Sequence, residues 1–312
     1  MSIVPILFTF DQSLEMPAVV CMTSLLSNAK PGTFYDIFVL HGPDADFSKS
    51  CLQDLPKQFG NCRMTFRTVK GEFVGGYEIR GIPETAYYRL ISPELIPEYE
   101  KYLYSDVDVI FREDLSEYYN IDLKDNYFGA VSTCPELRPD YQEYLRREYG
   151  MDWHEGYYYS GNLIINAAQI RKDGMMEEFR RLGKNNYHQQ DMTIINLACR
   201  GRILAMTPAY CVSTPLYRLL TLQKAGMESL YGAEEVRHAL SSGILHYNGQ
   251  KPWKGACPNM DVWWYYYRQS PVFDEQFAYD FWTSQRDQLA RLSLMKRMKL
   301  LLRYPFDRKQ WQ

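Results

Sequence analysis

Residues 3–10 form an unbroken apolar run that stops at Asp11. A run this short, apolar at odd and even positions alike, reads as a strand covered on both faces, as in a parallel sheet. Residues 16–27 then carry apolar positions at helical spacing, and 33–40 and 62–69 predict two more strands with a helix at 47–59 between them. A helix over 83–95, with Glu84 early and Pro97 near its end, precedes a fourth strand at 102–105. The second half is less regular: strands at 127–133 and 163–166, helices at 168–182 and 190–199, then aromatic helical segments at 262–268 and 273–281. Alternating strands and helices imply an α/β architecture with a mostly parallel central sheet. No repeat or Pro/Gly linker marks a boundary. The change of pattern near Asp261 divides the chain into a main domain, 1–261, and a helical C-terminal extension, 262–312.

In such sheets ligands sit beyond the carboxyl ends of strands, where both Asp11 and the Asp106–Val107–Asp108 triplet fall. Burying ionised carboxylates is costly without a cation or hydrogen bonds. With one residue between them, Asp106 and Asp108 converge on a cation only where the strand ends and the backbone turns, because side chains within a strand alternate faces. Hard oxygen ligands suit Mg²⁺ or Mn²⁺, ions that commonly hold a diphosphate. The other reading of the triplet is a solvated acidic loop. Far downstream, His246 also ends a short apolar run. Gly249 lets the backbone approach a phosphate closely and Lys251 supplies a point charge. A lone histidine is more often structural, and only its company makes His246 a candidate ligand.

Composition narrows the classes. Hydrophobic content of 46% and charged content of 23% in 312 residues are those of an ordinary globular protein with a large core. A formal net charge of −3 gives no support for nucleic acid as a partner. The charge is unevenly placed, with +6 in residues 286–312 and −9 in the rest. Leu294, Met298, Leu301 and Leu302 share a helical face in that tail, so it is a candidate for peripheral contact with an anionic membrane. The alternative is a terminal helix packed back onto the domain. Seven scattered cysteines without a CxxC pair speak against structural zinc and a disulfide framework. The amino terminus reads as a strand rather than a signal peptide, and no apolar run is long enough to span a bilayer. The expectation is a cytoplasmic protein, with any membrane contact at the inner face.

Several ordered motifs together resemble family 8 glycosyltransferases, the group that includes bacterial lipopolysaccharide galactosyl- and glucosyltransferases and, more distantly, glycogenin. They are the first strand ending at Asp11, Thr85-Ala86-Tyr87-Tyr88-Arg89, and Tyr102-Leu103-Tyr104-Ser105-Asp106-Val107-Asp108. Tyr158-Tyr159-Ser160-Gly161-Asn162, Gln189-Gln190-Asp191 and His246-Tyr247-Asn248-Gly249-Gln250-Lys251 follow. The resemblance covers roughly residues 3 to 255. It implies a GT-A (Rossmann-like) fold, a UDP-hexose donor, a saccharide or glycolipid acceptor, a divalent metal (usually Mn²⁺, or Mg²⁺) and retention of anomeric configuration. By the same resemblance Asp106 and Asp108 are the DxD pair and His246 the third metal ligand. Phe10 and Asp11 match the segment under uracil and ribose, Gly249 and Lys251 the diphosphate contacts, and Arg89 the arginine beside the donor sugar. Val107 lies among the donor contacts, Ser160 and Gly161 match the strand edge under the hexose, and Gln189 a position facing the sugar. Gln190 and Asp191 occupy the place of residues near the anomeric carbon.

The chain departs from that pattern in four places, one of them the stretch between Gly249 and Pro252, about a residue shorter than in some members. Tyr159 stands where the family usually has asparagine, and Gln189 where it tends to carry Asp or Glu. Ser13 and Leu14 replace a common Asn-Tyr, and leucine cannot stack over uracil as tyrosine does. Two other readings therefore stay open at the level of sequence: a sugar-nucleotide-binding protein that has lost transfer, and a phosphatase using an aspartyl nucleophile.

Overall fold

The structure, a computed structural model, describes residues 2–71 and 84–296, together with Met298. Among these residues seven strands form the central sheet: β1 (Ser2–Thr9), β2 (Thr33–His41), β3 (Cys62–Thr68), β4 (Tyr102–Ser105), β6 (Phe128–Val131), β7 (Asn162–Ile165) and β8 (Ile203–Met206). Between β4 and β6 lies the short β5 (Val109–Ile110), which joins β9 (Val212–Ser213) and β10 (Leu245–His246) in a second, three-stranded sheet.

The central order is β3-β2-β1-β4-β7-β6-β8. β1 pairs in parallel with β2 and β4, as do β2 with β3 and β6 with β8, while β7 runs antiparallel between β4 and β6. The sheet is mostly parallel, as the sequence pattern implies. The chain reverses its direction of travel across the sheet at β1 and β4, which makes the crevice beyond their carboxyl ends the place for a ligand.

The unbroken apolar runs have a direct cause. Val4, Ile6 and Phe8 of β1 enter one core cluster and Leu7 the other, so each strand face is buried against its own layer of helices. In β4, Leu103 faces the first cluster and Tyr102 and Tyr104 the second. The helix Glu15–Ser27 covers the first face with ten buried residues, among them Val19, Met22 and Leu25.

Two predicted helices are cut short by local chemistry. Within 47–59 the chain turns helical only after Ser50, whose hydroxyl accepts from the Leu52 N–H at 3.1 Å, and a 3₁₀ turn leads into the helix Leu55–Phe59. The segment 168–182 divides into Ala167–Lys172 and Met175–Leu182, because Gly174 adopts φ 66° between them. The start of 83–95 at Pro83 lies outside the described residues; from Glu84 onward a 3₁₀ turn precedes the helix Tyr88–Leu95. The second sheet, β8, and the helices Pro139–Tyr149, Thr214–Leu222, Lys224–Tyr231 and Ala233–Ser241 carried no clear signal in the pattern.

The helix Met260–Gln269 buries Trp263, Trp264, Tyr266 and Tyr267 in the first cluster, and Tyr266 accepts from Asn28 Nδ2 at 2.8 Å. Trp264 packs at 4.6 Å on Phe281 of the following helix, Glu275–Ala290. This aromatic run is therefore packing rather than the lining of a cleft. Of the tail, Leu294, Met295 and Met298 are exposed, at 75%, 80% and 53%, and Leu301 and Leu302 lie outside the described residues. No described helix is long and apolar enough to cross a membrane. All seven cysteines are free.

Candidate active site

Strand β4 delivers the first carboxylate. Its ladder with β7 sets Ser105 opposite Asn162, and the Asp106 N–H extends it by donating to Gly161 O at 2.8 Å. There the strand ends: Ser105 Oγ donates to the Asp106 carbonyl at 2.8 Å and accepts from Asn162 Nδ2 at 3.1 Å. The backbone turns over Val107, which is buried, and places Asp108 immediately before β5.

The small sheet delivers the imidazole. β10 runs antiparallel to β5 with His246 opposite Val109, and the Tyr247 N–H donates to Asp108 O at 2.8 Å. His246 Nε2 lies 3.5 Å from Asp106 Oδ2 and 3.3 Å from Asp108 Oδ1. One ligand atom from each of the three residues fits within 4.8 Å. Around a six-coordinate ion with bonds of about 2.1 Å, adjacent ligand atoms stand roughly 3 Å apart, close to the separation of His246 Nε2 from each carboxylate. Gly161 forms the wall: a Cβ there would stand 2.2 Å from His246 Cε1 and 2.9 Å from Asp106 Oδ2. Two carboxylate oxygens, one imidazole nitrogen and a wall stripped of its side chain can hold a divalent ion.

Charge around the group is closely paired. Lys251 Nζ forms an ion pair with Asp108 Oδ2 and donates to Tyr247 O at 2.7 Å. Burial pushes the Asp108 carboxyl up, but the charges and hydrogen bonds of His246 and Lys251 outweigh it and hold Asp108 below the usual carboxylate range. Burial lowers His246, yet Asp108 overcomes this and raises the imidazole to about 10.

Arg89 is the hub behind the cluster. Its side chain, 6% exposed, donates from Nε to Ala86 O at 2.8 Å, from Nη1 to Ser160 O at 2.7 Å and from Nη2 to Asp106 Oδ1 at 2.9 Å. Nη1 also lies 3.2 Å from Asp191 Oδ2. Burial raises the Asp191 carboxyl, with Arg89 opposing it. Ser160 therefore meets the cluster twice, through its carbonyl on Arg89 and through its side chain, which hydrogen-bonds Asp191.

The remaining candidates sit as follows. Phe10 is buried with its ring 5.3 Å from Phe47, and its N–H donates to Leu40 O at 3.4 Å. Asp11 stands just past the end of β1, next to β4, and accepts from the Ser13 N–H at 2.8 Å. Leu14 packs against the core. Gly249 is exposed, and a Cβ there would meet Thr214 no closer than 3.7 Å. Gln189 Oε1 accepts from the hydroxyls of Tyr157 at 2.9 Å and Tyr141 at 3.4 Å, and Gln190 begins the next helix with φ 41°, a value rare for a side chain of its size. Tyr159 is buried in the first core cluster, beside Ser213. The pattern reading missed Tyr104, whose hydroxyl bonds Asp106; the signal was its position two residues upstream on a strand, hence on the same face.

A mostly parallel sheet with this cluster at its switch point defines the class as the GT-A fold. A solved galactosyltransferase, LgtC in complex with donor and acceptor sugar analogues, superposes with a TM-score of 0.70 at 25% identity, over 88% of this chain and 99% of its own. The lipopolysaccharide 1,2-glucosyltransferase of Escherichia coli is 22% identical over 259 residues, 78% of this chain and 71% of its own. Probable galacturonosyltransferase 4 of Arabidopsis thaliana is 25% identical over 174 residues, 54% of this chain but 27% of its own, so the chain spans a minor part of that plant relative. Residues 5–257 match the model of glycosyl transferase family 8, and the chain belongs to that family.

Proposed function

We propose that the chain transfers a hexose, glucose or galactose, from a UDP-sugar to a saccharide or lipid-linked saccharide in cell-surface polysaccharide synthesis, with retention of configuration. Asp106, Asp108 and His246 would hold the divalent ion, Mn²⁺ or Mg²⁺. The observation that carries this reading is the meeting of these three side chains, from β4, the turn after it and β10, at the carboxyl end of the sheet. When bound, the ion supplies positive charge against the negative charge that develops on the departing UDP.

The chain's own groups divide the rest of the work. Lys251, now on Asp108, is the mobile cation that moves to a phosphate oxygen. Gly249, exposed and without a side chain, lets the diphosphate approach the backbone. Phe10 and Asp11 at the end of β1 receive the nucleoside, with Val107 beside it, while Ser160, Gly161 and Gln189 line the side of the hexose.

Retention requires either a protein nucleophile or attack by the acceptor hydroxyl on the face from which UDP leaves. Gln190 carries an amide, a poor nucleophile, and Asp191 is buried and faces Arg89. Both observations favour same-face attack, in which the acceptor oxygen bonds to the anomeric carbon as its bond to UDP breaks. A leaving-phosphate oxygen takes the acceptor's proton. An Asp191→Ala variant that keeps near-normal transfer supports this, and a sugar ester trapped on Asp191 overturns it.

Incubation with Mn²⁺ and a panel of UDP-glucose, UDP-galactose, UDP-galacturonate and the N-acetyl forms is the decisive test. UDP release that depends on one donor supports the transferase. Binding without turnover establishes the lost-activity reading prompted by Tyr159 and Gln189, and cleavage of phosphate monoesters the phosphatase. The exposed apolar side chains of Leu294, Met295 and Met298 in a basic tail support contact with an anionic membrane. Liposome co-sedimentation with and without residues 286–312 decides that point.

A further inference from the structure

Tyr104 is almost fully buried at the end of β4. Its hydroxyl lies 2.6 Å from Asp106 Oδ1 and 3.1 Å from Thr9 Oγ1. An ionised carboxylate can only accept, so the phenol donates to Asp106 and Thr9 donates to the phenol oxygen. The Arg89 guanidinium lies 4.3 Å from the Tyr104 ring centroid and donates to the same Asp106 oxygen, Oδ1, at 2.9 Å. The other oxygen, Oδ2, is the one 3.5 Å from His246 Nε2.

We propose that Tyr104 is a positioning residue: by donating to Asp106 Oδ1 it fixes the rotation of that carboxylate and turns Oδ2 alone toward His246 and the ion. The proposal rests on the metal reading above. The torsion that rotates a carboxylate is soft, with broad wells. Without the phenol, Asp106 Oδ1 keeps Arg89 as its one side-chain partner among the described residues, and that guanidinium is also drawn to Ser160 O at 2.7 Å and Asp191 Oδ2 at 3.2 Å. Partners that orient a metal ligand typically contribute about tenfold to a hundredfold in affinity.

Tyr102 is a matched control. It lies on the same strand and face, is fully buried, and pairs its hydroxyl with Ser92 Oγ at 2.7 Å, a group that donates to the Arg89 backbone carbonyl rather than to Asp106. Mn²⁺ binding to the full chain is measured from the loss of the free Mn²⁺ EPR signal, with and without UDP, beside melting curves in EDTA. Tyr104→Phe is expected to weaken Mn²⁺ binding at least about tenfold. Tyr102→Phe is expected to bind within about twofold of wild type while losing comparable thermal stability, since each variant deletes one buried hydroxyl hydrogen bond. The proposal is overturned if Tyr104→Phe binds Mn²⁺ as wild type does, or if Tyr102→Phe weakens binding equally. A wild-type chain that takes up no Mn²⁺, or an Asp106→Asn variant that takes it up unchanged, overturns the metal reading itself and this proposal with it.

Discussion

Replacing Gly161 by alanine tests the site by geometry alone. The glycine is not in the left-handed region of backbone space, so alanine's conformation is unstrained there. The added Cβ would stand 2.2 Å from His246 Cε1, 2.6 Å from Nδ1 and 2.9 Å from Asp106 Oδ2. Carbon atoms pack at about 3.5–4.0 Å, so the imidazole must retreat by more than about 1 Å. Both faces of His246 are confined, since the residue is 6% exposed and Cys211 Sγ lies 3.7 Å from its Nδ1. A misplacement of about 1 Å costs on the order of a hundredfold in rate, while overpacking costs roughly 1–3 kcal/mol of stability. Gly161→Ala is therefore expected to stay folded, bind Mn²⁺ weakly and release UDP at about one-hundredth of the wild-type rate or less. Gly249→Ala is the comparison, because its Cβ would meet Thr214 at 3.7 Å, an ordinary contact, and stability should not change. The measurements are UDP release, Mn²⁺ titration and thermal melting on wild type and both variants. A Gly161→Ala protein that keeps half of wild-type turnover refutes the claim that His246 and Asp106 are held at their positions by the bare wall.

Three further outcomes follow from the same contacts. Asp106→Asn keeps the shape but loses the charge, and UDP release should fall by at least about a hundredfold; activity that persists in this variant with EDTA present dismisses the metal assignment. Arg89→Met leaves the buried Asp191 and the half-buried Asp106 without that guanidinium, and in EDTA urea unfolding should show a loss of about 3–5 kcal/mol, whereas an unchanged midpoint removes Arg89 as the hub. Asp114 is buried and accepts from the N–H groups of Lys30 and Ser116, each at 2.9 Å. Burial raises its carboxyl, but the Ser116 hydroxyl and these N–H groups outweigh this and leave it below its ordinary value. A depressed folded-state pKa contributes stability that is present above the unfolded value, about 3.9, and is lost as pH falls through the folded one. The stability gap between wild type and Asp114→Asn should hold from pH 7 to about 5 and shrink below about 4. A gap that stays constant down to the acid transition contradicts it.

The two faces of the central sheet were legible in the chain because burial is a property of consecutive residues. A strand covered on both sides needs mostly apolar groups on both faces, and the middles of β1 and β4 show this directly, as does β2 except at Asp36, whose buried carboxylate is paired with Arg63. The three-stranded sheet was not legible, because strands of two residues, such as β5, β9 and β10, are too short to display any period. The aromatic run 263–267 was legible as a helix, but its sidedness was not, and only packing against the helix Glu15–Ser27 and Phe281 assigned Trp263, Trp264, Tyr266 and Tyr267 to the core.

The candidate ligands divide in the same way. Chain order determined that two carboxylates stand where β4 ends and that a histidine ends another apolar run with a lysine five residues on, because those are local facts of residue type and spacing. Whether these groups meet depends on the pairing of β10 with β5, which sets His246 opposite Val109 although the two lie in distant parts of the chain. That register is decided by hydrogen bonds and core packing contributed by distant segments. The same is true of Arg89, Asp191 and Tyr104, which gather around Asp106 only once β4, β7 and the helices beside them have closed around one point.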